Sequence, residues 1–360
     1  MARNTCGIVL RALIKAKAFV SSPMKTRDAV TAPECTEHTP LFTAVVATYN
    51  RANLVGKAIE SILAQTYENI EIIVVDDGST DATPSLLRQF CDQVTVIYQP
   101  NAGPSAARNR GIVAARGEIV AFLDSDDVWL PNRIERQVSV LQKVDESVPC
   151  CVCNVEMRFT SGPRRTSFQN ALLDPVTEEG LWSNAAELLT DRFIMFNQMA
   201  AVRRSALERI GGYDESLRFL EDYDLALRLA LIGPFAFIRE PLVIWSQGSA
   251  GSLSDEASQQ IRRLRELEVR IRQNLLEKVN TSGDHEALRA QMRSALTKAN
   301  RRLWIAGLRQ EGSSGVAMVG SVLDKLEHYY DAAIRRSPWF IPMKTRPLPE
   351  QPDSSATEPN

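Results

Sequence analysis

Glu71-Ile72-Ile73-Val74-Val75-Asp76-Asp77-Gly78-Ser79-Thr80-Asp81 decides the fold class of this chain. A continuous Ile/Val run has no polar face, so it reads as a strand covered on both sides, as in a parallel sheet. It stops at two acids, a glycine suited to a turn, and hydroxyl residues that can cap a following helix. The same pattern repeats outward. Strand-like runs at Phe42–Ala47, Val94–Tyr98 and Glu118–Leu123 alternate with segments of helical period at Leu54–Ala64, Pro84–Phe90, Ser105–Ala115 and Arg133–Val144. Such alternation with short connections implies right-handed crossovers and predicts an α/β fold, a three-layer α/β/α sandwich.

Further along the pattern is mixed. A strand is expected at Cys150–Phe159, helices at Asn184–Leu189 and Glu221–Leu231, and short strands near Gln198–Val202 and Leu242–Trp245. Apolar residues at three- and four-residue spacing then predict helices at Gln259–Val279 and Glu286–Ile305, with a third over Val316–Ile334. The resulting division is a leader (1–40), an α/β domain (41–254), a C-terminal helical extension (255–337) and a disordered tail (338–360) rich in proline and polar residues. In the leader, Ile8–Val20 is apolar but broken by Arg11, Lys15 and Lys17, which is wrong for a secretory signal. A disordered leader, a start misassigned upstream of Met24 and a short basic helix on an anionic membrane surface all fit. Arg262, Arg263, Arg265, Arg270 and Arg272 alternate with Glu266 and Glu268, which favours a solvated helix face over a lipid-docking one.

Composition narrows the class. With 44% hydrophobic and 24% charged residues the chain is an ordinary globular protein, and its net charge of −2 gives no reason to expect nucleic acid. No apolar run reaches membrane-spanning length. Six cysteines in 360 residues do not make a disulfide scaffold. Cys150, Cys151 and Cys153 lack a second ligand pair for zinc and read as small hydrophobes in a strand.

In an open α/β sheet, ligands bind beyond the carboxyl ends of the strands. The first strand ends in Ala47-Thr48-Tyr49-Asn50-Arg51, where an aromatic ring can stack on a nucleobase while Thr48 and Asn50 reach the ribose. Ordinary turn chemistry explains the same residues. At the second end, Asp77 can accept from a base N–H or a ribose hydroxyl. Asn101-Ala102-Gly103-Pro104-Ser105 opens a helix with N–H groups suited to an anion, followed by Arg108 and Arg110. The strongest signal is Phe122-Leu123-Asp124-Ser125-Asp126-Asp127. Three carboxylates in four residues repel one another unless a cation neutralises them, and hard oxygen ligands suit Mg²⁺ or Mn²⁺. In extended backbone Asp124 and Asp126 would point to the same side.

Taken together, these motifs resemble glycosyltransferase family 2, and the resemblance continues through Gly211-Gly212-Tyr213-Asp214-Glu215 and Glu221-Asp222-Tyr223-Asp224-Leu225. It implies a nucleotide-diphospho-sugar transferase (GT-A, Rossmann-like) domain that moves a sugar with inversion from a UDP-sugar to a hydroxyl of a glycan or lipid-linked acceptor. It implies that Tyr49 stacks on the base and Asp77 hydrogen-bonds it. Asp124 and Asp126 serve the ribose–diphosphate and an Mn²⁺ or Mg²⁺ ion, Asp126 being the direct ligand, and Asp222 is the general base. The expected setting is cell-surface polysaccharide synthesis in the cytoplasm, with peripheral contact at the inner face of the membrane as an option. The chain departs from the family pattern at Ala47, where proline is common. It also lacks the histidine often found near Trp245-Ser246-Gln247-Gly248-Ser249, since its three histidines are His38, His285 and His328. The Gln-x-x-Arg-Trp motif and membrane helices of processive members are absent, which argues against a polymerising synthase. The alternatives are a non-catalytic nucleotide-sugar-binding protein and a sugar-1-phosphate nucleotidyltransferase; the latter would want a Gly-rich basic loop after the first strand.

Overall fold

The computed structural model describes residues 38–159, 163–246, 260–281, 286–310 and 343–349. The leader before residue 38, the helix expected at Val316–Ile334, and His285 and His328 lie outside the described residues, as do Gln247–Ser249. All elements belong to one unit beginning at Thr39.

The first half alternates as expected: β1 (Phe42–Thr48), α1 (Val55–Leu63), β2 (Ile70–Asp76), α2 (Thr83–Leu87), β3 (Thr95–Tyr98), α3 (Pro104–Ala114), β4 (Ile119–Asp124), β5 (Val128–Trp129) and α4 (Arg133–Gln142). Strands β3, β2, β1 and β4 are neighbours in that order and run parallel. Their central residues, among them Val45, Val46, Val74, Val75 and Phe122, are buried because helices cover both faces. Each such side chain contributes roughly 1.5–3 kcal/mol on leaving water. In α1, Val55, Ala58, Ile59 and Ile62 recur at helical spacing and form its buried face.

The second half is antiparallel in part. It comprises β6 (Cys150–Arg158), β7 (Arg165–Thr166), α5 (Ser167–Asn170), β8 (Glu179–Trp182), α6 (Ala185–Asp191), α7 (Phe196–Met199), β9 (Ala200–Arg203), α8 (Arg204–Ile210), α9 (Glu221–Ala230) and β10 (Phe235–Ser246). Strand β9 sits antiparallel between β4 and β6, and β10 runs parallel to β6. Cys150, Cys151 and Cys153 are buried free thiols in β6. Gln198, expected in a strand, lies in α7 instead. All four α7 residues are buried, and such a short apolar turn leaves no periodicity to read.

The long helices α10 (Ile261–Thr281) and α11 (Glu286–Gln310) follow, and β11 (Thr345–Arg346) closes the sheet edge against β8. That strand is a correction: residues 343–349 were expected in a disordered tail. Met343 and Leu348 pack against the core, and Gly180 leaves room for the Arg346 carbonyl, which a Cβ would meet at 2.8 Å. A two-residue strand among prolines carries too little pattern to be seen in sequence.

Helix α3 lies on β1 at Gly111, where a Cβ would stand 2.3 Å from Val45 Cγ1. Gly111→Ala gains up to about 1 kcal/mol of helix propensity but overpacks the contact by about 1–3 kcal/mol, and the clash dominates. We expect lower stability by denaturant melting, recovered when Val45→Ala is added. A stabilised single variant would contradict this packing.

Candidate active site

Strands β1, β2 and β4 end at one level: Thr48 is in register with Asp76, and Ala47 with Asp124. Strand order reverses between β1 and β4, so their ends flank the crevice in which α/β sheets bind ligands.

The first loop is rigid. Asn50 adopts a left-handed φ of 52°, its N–H donates to Ser79 Oγ at 2.9 Å, and its Oδ1 accepts from the Thr80 N–H at 2.8 Å. These bonds tie the first loop to the second and leave Tyr49 44% exposed beside the crevice. The Thr48 hydroxyl is buried without a hydrogen-bond partner among the described residues.

The second loop differs from expectation. Rather than standing open to a base N–H or a ribose hydroxyl, the Asp77 carboxylate accepts from Gln99 Nε2 (2.7 Å), Ala102 N–H (2.9 Å) and Gly103 N–H (2.8 Å). The N–H groups expected to await an anion are therefore committed to Asp77. Gly78, at φ 77°, allows the close approach, since a Cβ would stand 2.8 Å from Asn101 N.

At the end of β4 the backbone is not extended. The Asp127 N–H donates to the Asp124 carbonyl at 3.1 Å, closing a turn through Ser125 and Asp126. The extended alternation expected for Asp124 and Asp126 is thus replaced by a turn. Asp126 is partly exposed. Asp127 is only 2% exposed, and neither carboxylate oxygen meets a partner at hydrogen-bond geometry among the described residues. Burial first, and then repulsion from Asp124 and Asp126, pushes its carboxyl well above the usual range; the nearby Gln198 amide and Ser246 N–H offset part of the rise.

Asp124 is held from two sides: Oδ1 pairs with Arg108 Nη2 at 2.7 Å, and Oδ2 accepts from Gln198 Nε2 at 2.6 Å. For Arg108, as for Arg110, the sequence left open an approach to the ligand or simple surface exposure. The structure buries it, directs Nη1 to Glu221 Oε1 at 2.8 Å, and sets its guanidinium 5.5 Å from the Tyr213 ring centroid. Burial alone would lower its basicity, but the two carboxylates reverse that and raise it. Tyr213 donates to Asn197 Oδ1 at 2.6 Å, so neighbouring α7 residues support both Tyr213 and Asp124.

Glu221 and Asp222 open α9 after Leu220, which adopts a left-handed φ of 61°. A branched residue there is strained, which marks a locally over-determined site. Asp222 Oδ1 accepts from the Tyr223 N–H at 2.8 Å, and the residue keeps partial access to solvent. Burial, then the Glu221 charge, raises its pKa from 3.8 to about 8, with Arg108 opposing. A carboxyl so tuned is matched to proton transfer near neutral pH.

Four residues of this cluster escaped the sequence reading. Glu221 and Tyr213 were seen only as parts of motifs, Gln198 sat in the misread α7, and Asp127 was not separated from its neighbours. Among the described residues, no group of three or more His, Cys, Asp and Glu side chains could enclose a metal. Asp126 with the unpartnered Asp127 fits a hard cation that takes most ligands from phosphate and water, rather than a closed cage.

The raised pKa of Asp222 carries a linked effect on stability. Between pH 4 and 8 the folded protein retains a proton that the unfolded chain releases, so stability falls as pH rises through that window. Asp222→Asn removes the effect: its melting temperature should exceed the parent's at pH 8, with the gap shrinking toward pH 5. A gap independent of pH would refute the shift.

The sequence model of glycosyl transferase family 2 matches residues 43–211. An uncharacterised glycosyltransferase of Rickettsia typhi is 32% identical over 214 residues, 57% of this chain and 64% of the relative, so the similarity spans less than two thirds of that protein. The succinoglycan biosynthesis protein ExoO of Rhizobium meliloti is 34% identical over 198 residues, covering 54% of this chain and 56% of its own length. Among solved structures, S. aureus TarS 1–349 with UDP-GlcNAc superposes with a TM-score of 0.56 at 18% identity, covering 73% of this chain and 72% of that one. The mannosyltransferase PcManGT from Pyrobaculum calidifontis, with GDP-Man and Mn²⁺, gives 0.51 at 24% identity and covers 81% of both chains. These two likenesses bear on the fold, a mixed central sheet with flanking helices of GT-A type. Residues 43–211, and the strand-end loops built on them, match the glycosyl transferase family 2 model, so this chain is similar to that family over just under half of its length.

Proposed function

We propose that this chain transfers a hexosyl or N-acetylhexosaminyl group from a UDP-sugar to an acceptor hydroxyl, with inversion, in the synthesis of a cell-surface polysaccharide or related glycan. The observation that carries the reading is Asp222, a partly accessible carboxyl with a pKa near 8 beside the strand ends and next to Glu221. A protein that only bound nucleotide sugars would have no use for such a base. Tyr49 offers its ring to the base, and the orphaned Thr48 hydroxyl gains a partner when the nucleoside enters. Asp77 shapes the loop beneath the nucleotide through its bonds to Ala102 and Gly103. Mn²⁺ or Mg²⁺, held by Asp126 with Asp124 and Asp127 beside it, would stabilise charge on the departing diphosphate.

Asp222 accepts the proton of the acceptor hydroxyl as its oxygen attacks the anomeric carbon and the bond to the diphosphate breaks. Attack from the face opposite the leaving group inverts the configuration. UDP-GlcNAc in TarS and GDP-Man with Mn²⁺ in the Pyrobaculum enzyme support a nucleotide-diphosphate-sugar donor. The succinoglycan relative supports a polysaccharide setting. The reaction would occur in the cytoplasm; among the described residues no helix is long and apolar enough to cross a membrane.

The test has two stages. UDP-, GDP- and dTDP-sugars are screened with Mn²⁺ for thermal stabilisation, and UDP-sugars should shift the melt most. With the stabilising donor and an acceptor, Asp126→Ala should lower turnover on the order of 100-fold. Binding without release of the nucleotide across a broad acceptor panel would favour a non-catalytic binder instead.

A further inference from the structure

The residue after the proposed base is gripped from behind by the helical extension. Tyr223 is buried, and its hydroxyl donates to the Leu189 carbonyl at 2.8 Å. Its ring lies between Phe193, at 5.8 Å and tilted 46°, and the Arg272 guanidinium from α10, also at 5.8 Å. Arg272 is itself buried. Its Nε and Nη2 donate to the Thr190 carbonyl at 3.1 and 2.8 Å, and Nη1 pairs with Glu268. That buried carboxylate also takes Arg265 at 2.8 Å and Arg302 of α11 at 3.4 Å, so one acid ties the two long helices together. From α11, Gln291 donates to Thr190 Oγ1 at 3.1 Å and to the Glu187 carbonyl.

The C-terminal turn of α6 is thus a junction. Its last carbonyls have no helical donor of their own. Tyr223 from α9 supplies the Leu189 carbonyl and Arg272 from α10 the Thr190 carbonyl, while Gln291 from α11 holds the Thr190 hydroxyl and the Glu187 carbonyl one turn back. Every one of these bonds lies within three residues of Thr190, and the α9 partner is the residue whose N–H fixes the Asp222 carboxylate. A solvated arginine-rich face accounts for Arg262 and Arg263, which are exposed, but not for Arg272.

We infer that the helical pair α10–α11 is a working part of the catalytic centre, with Arg272 as a positioning residue that holds Tyr223 and through it Asp222. This rests on Asp222 being the base, and extends it to residues that lie beyond the family match at 43–211. A purely structural extension would stabilise the protein as a whole. A positioning extension acts on the first turn of α9 and leaves donor binding alone.

Two measurements on the full chain separate these cases. In Arg272→Met, hydrogen exchange of peptides covering residues 220–225 should accelerate while those of β1, β2 and β4 keep their protection. That result needs no activity, so it decides the anchoring even if no UDP-sugar is turned over, an outcome that would sink the reading of the site instead. In the active enzyme, kcat should fall on the order of ten- to hundred-fold, with the donor KM and UDP affinity within about twofold of the parent, because the base is misplaced and the nucleotide site is not. Arg272→Lys keeps the charge beside Glu268 but loses the two-pronged bond to Thr190, so it should fold and show the same kcat loss in milder form. Exchange that rises evenly across the sheet, or an unchanged kcat in both variants, would overturn the inference.

Discussion

One buried guanidinium organises this molecule. At the carboxyl end of β4 and the start of α9, two acids from distant parts of the chain, Asp124 and Glu221, approach the same point, and Arg108 lies between them at 2.7 and 2.8 Å. Left without it, buried Glu221 and half-buried Asp124 would be two uncompensated charges of like sign. Removing one partner from such a group costs about 3–5 kcal/mol, although the intact cluster adds little net stability over apolar packing. Its contribution is geometric. It joins the parallel half of the sheet to the helix that carries the proposed base.

The surrounding features serve that placement. Asp77 fixes the loop from which α3 starts, and α3 delivers Arg108. Helix α7 supplies two consecutive side chains, Asn197 against Tyr213 and Gln198 against Asp124. Behind α7 lie Arg133, fully buried with its guanidinium 3.8 Å from the Trp129 ring centroid and Nη2 on the Gln198 and Ala200 carbonyls, and Gln137, bonded to the Met199 carbonyl. On the other side of α9, Arg228 pairs with Asp224 and caps the carbonyls of Ile210 and Gly212, which fixes the glycine turn before Tyr213.

What the sequence disclosed follows from what short-range pattern can encode. The parallel strands were legible because Val and Ile runs have one explanation, burial on both faces, and the acids at their ends stand out against them. Which acids face solvent was not legible. Asp77, Asp124 and Asp127 look alike in sequence, yet their environments depend on donors far along the chain, such as Gln198, 74 residues from Asp124. Arg108 was misjudged for the same reason: its partners include Glu221, at a separation of 113 residues. The extended-backbone argument for Asp124 and Asp126 failed because a single hydrogen bond from Asp127 closes a turn there. Nor could helical periodicity tell Arg272, sealed against Tyr223, from its solvated neighbours.

The central claim is that Asp222 directs a hydroxyl onto the anomeric carbon in a single displacement. It is tested most directly by proton NMR of the first sugar released when the enzyme, supplied with an α-linked UDP-sugar, uses water in place of its acceptor. The β anomer should appear first and then mutarotate toward equilibrium. Initial release of the α anomer would contradict the account, since it requires a second displacement that no residue in this arrangement has been assigned to perform.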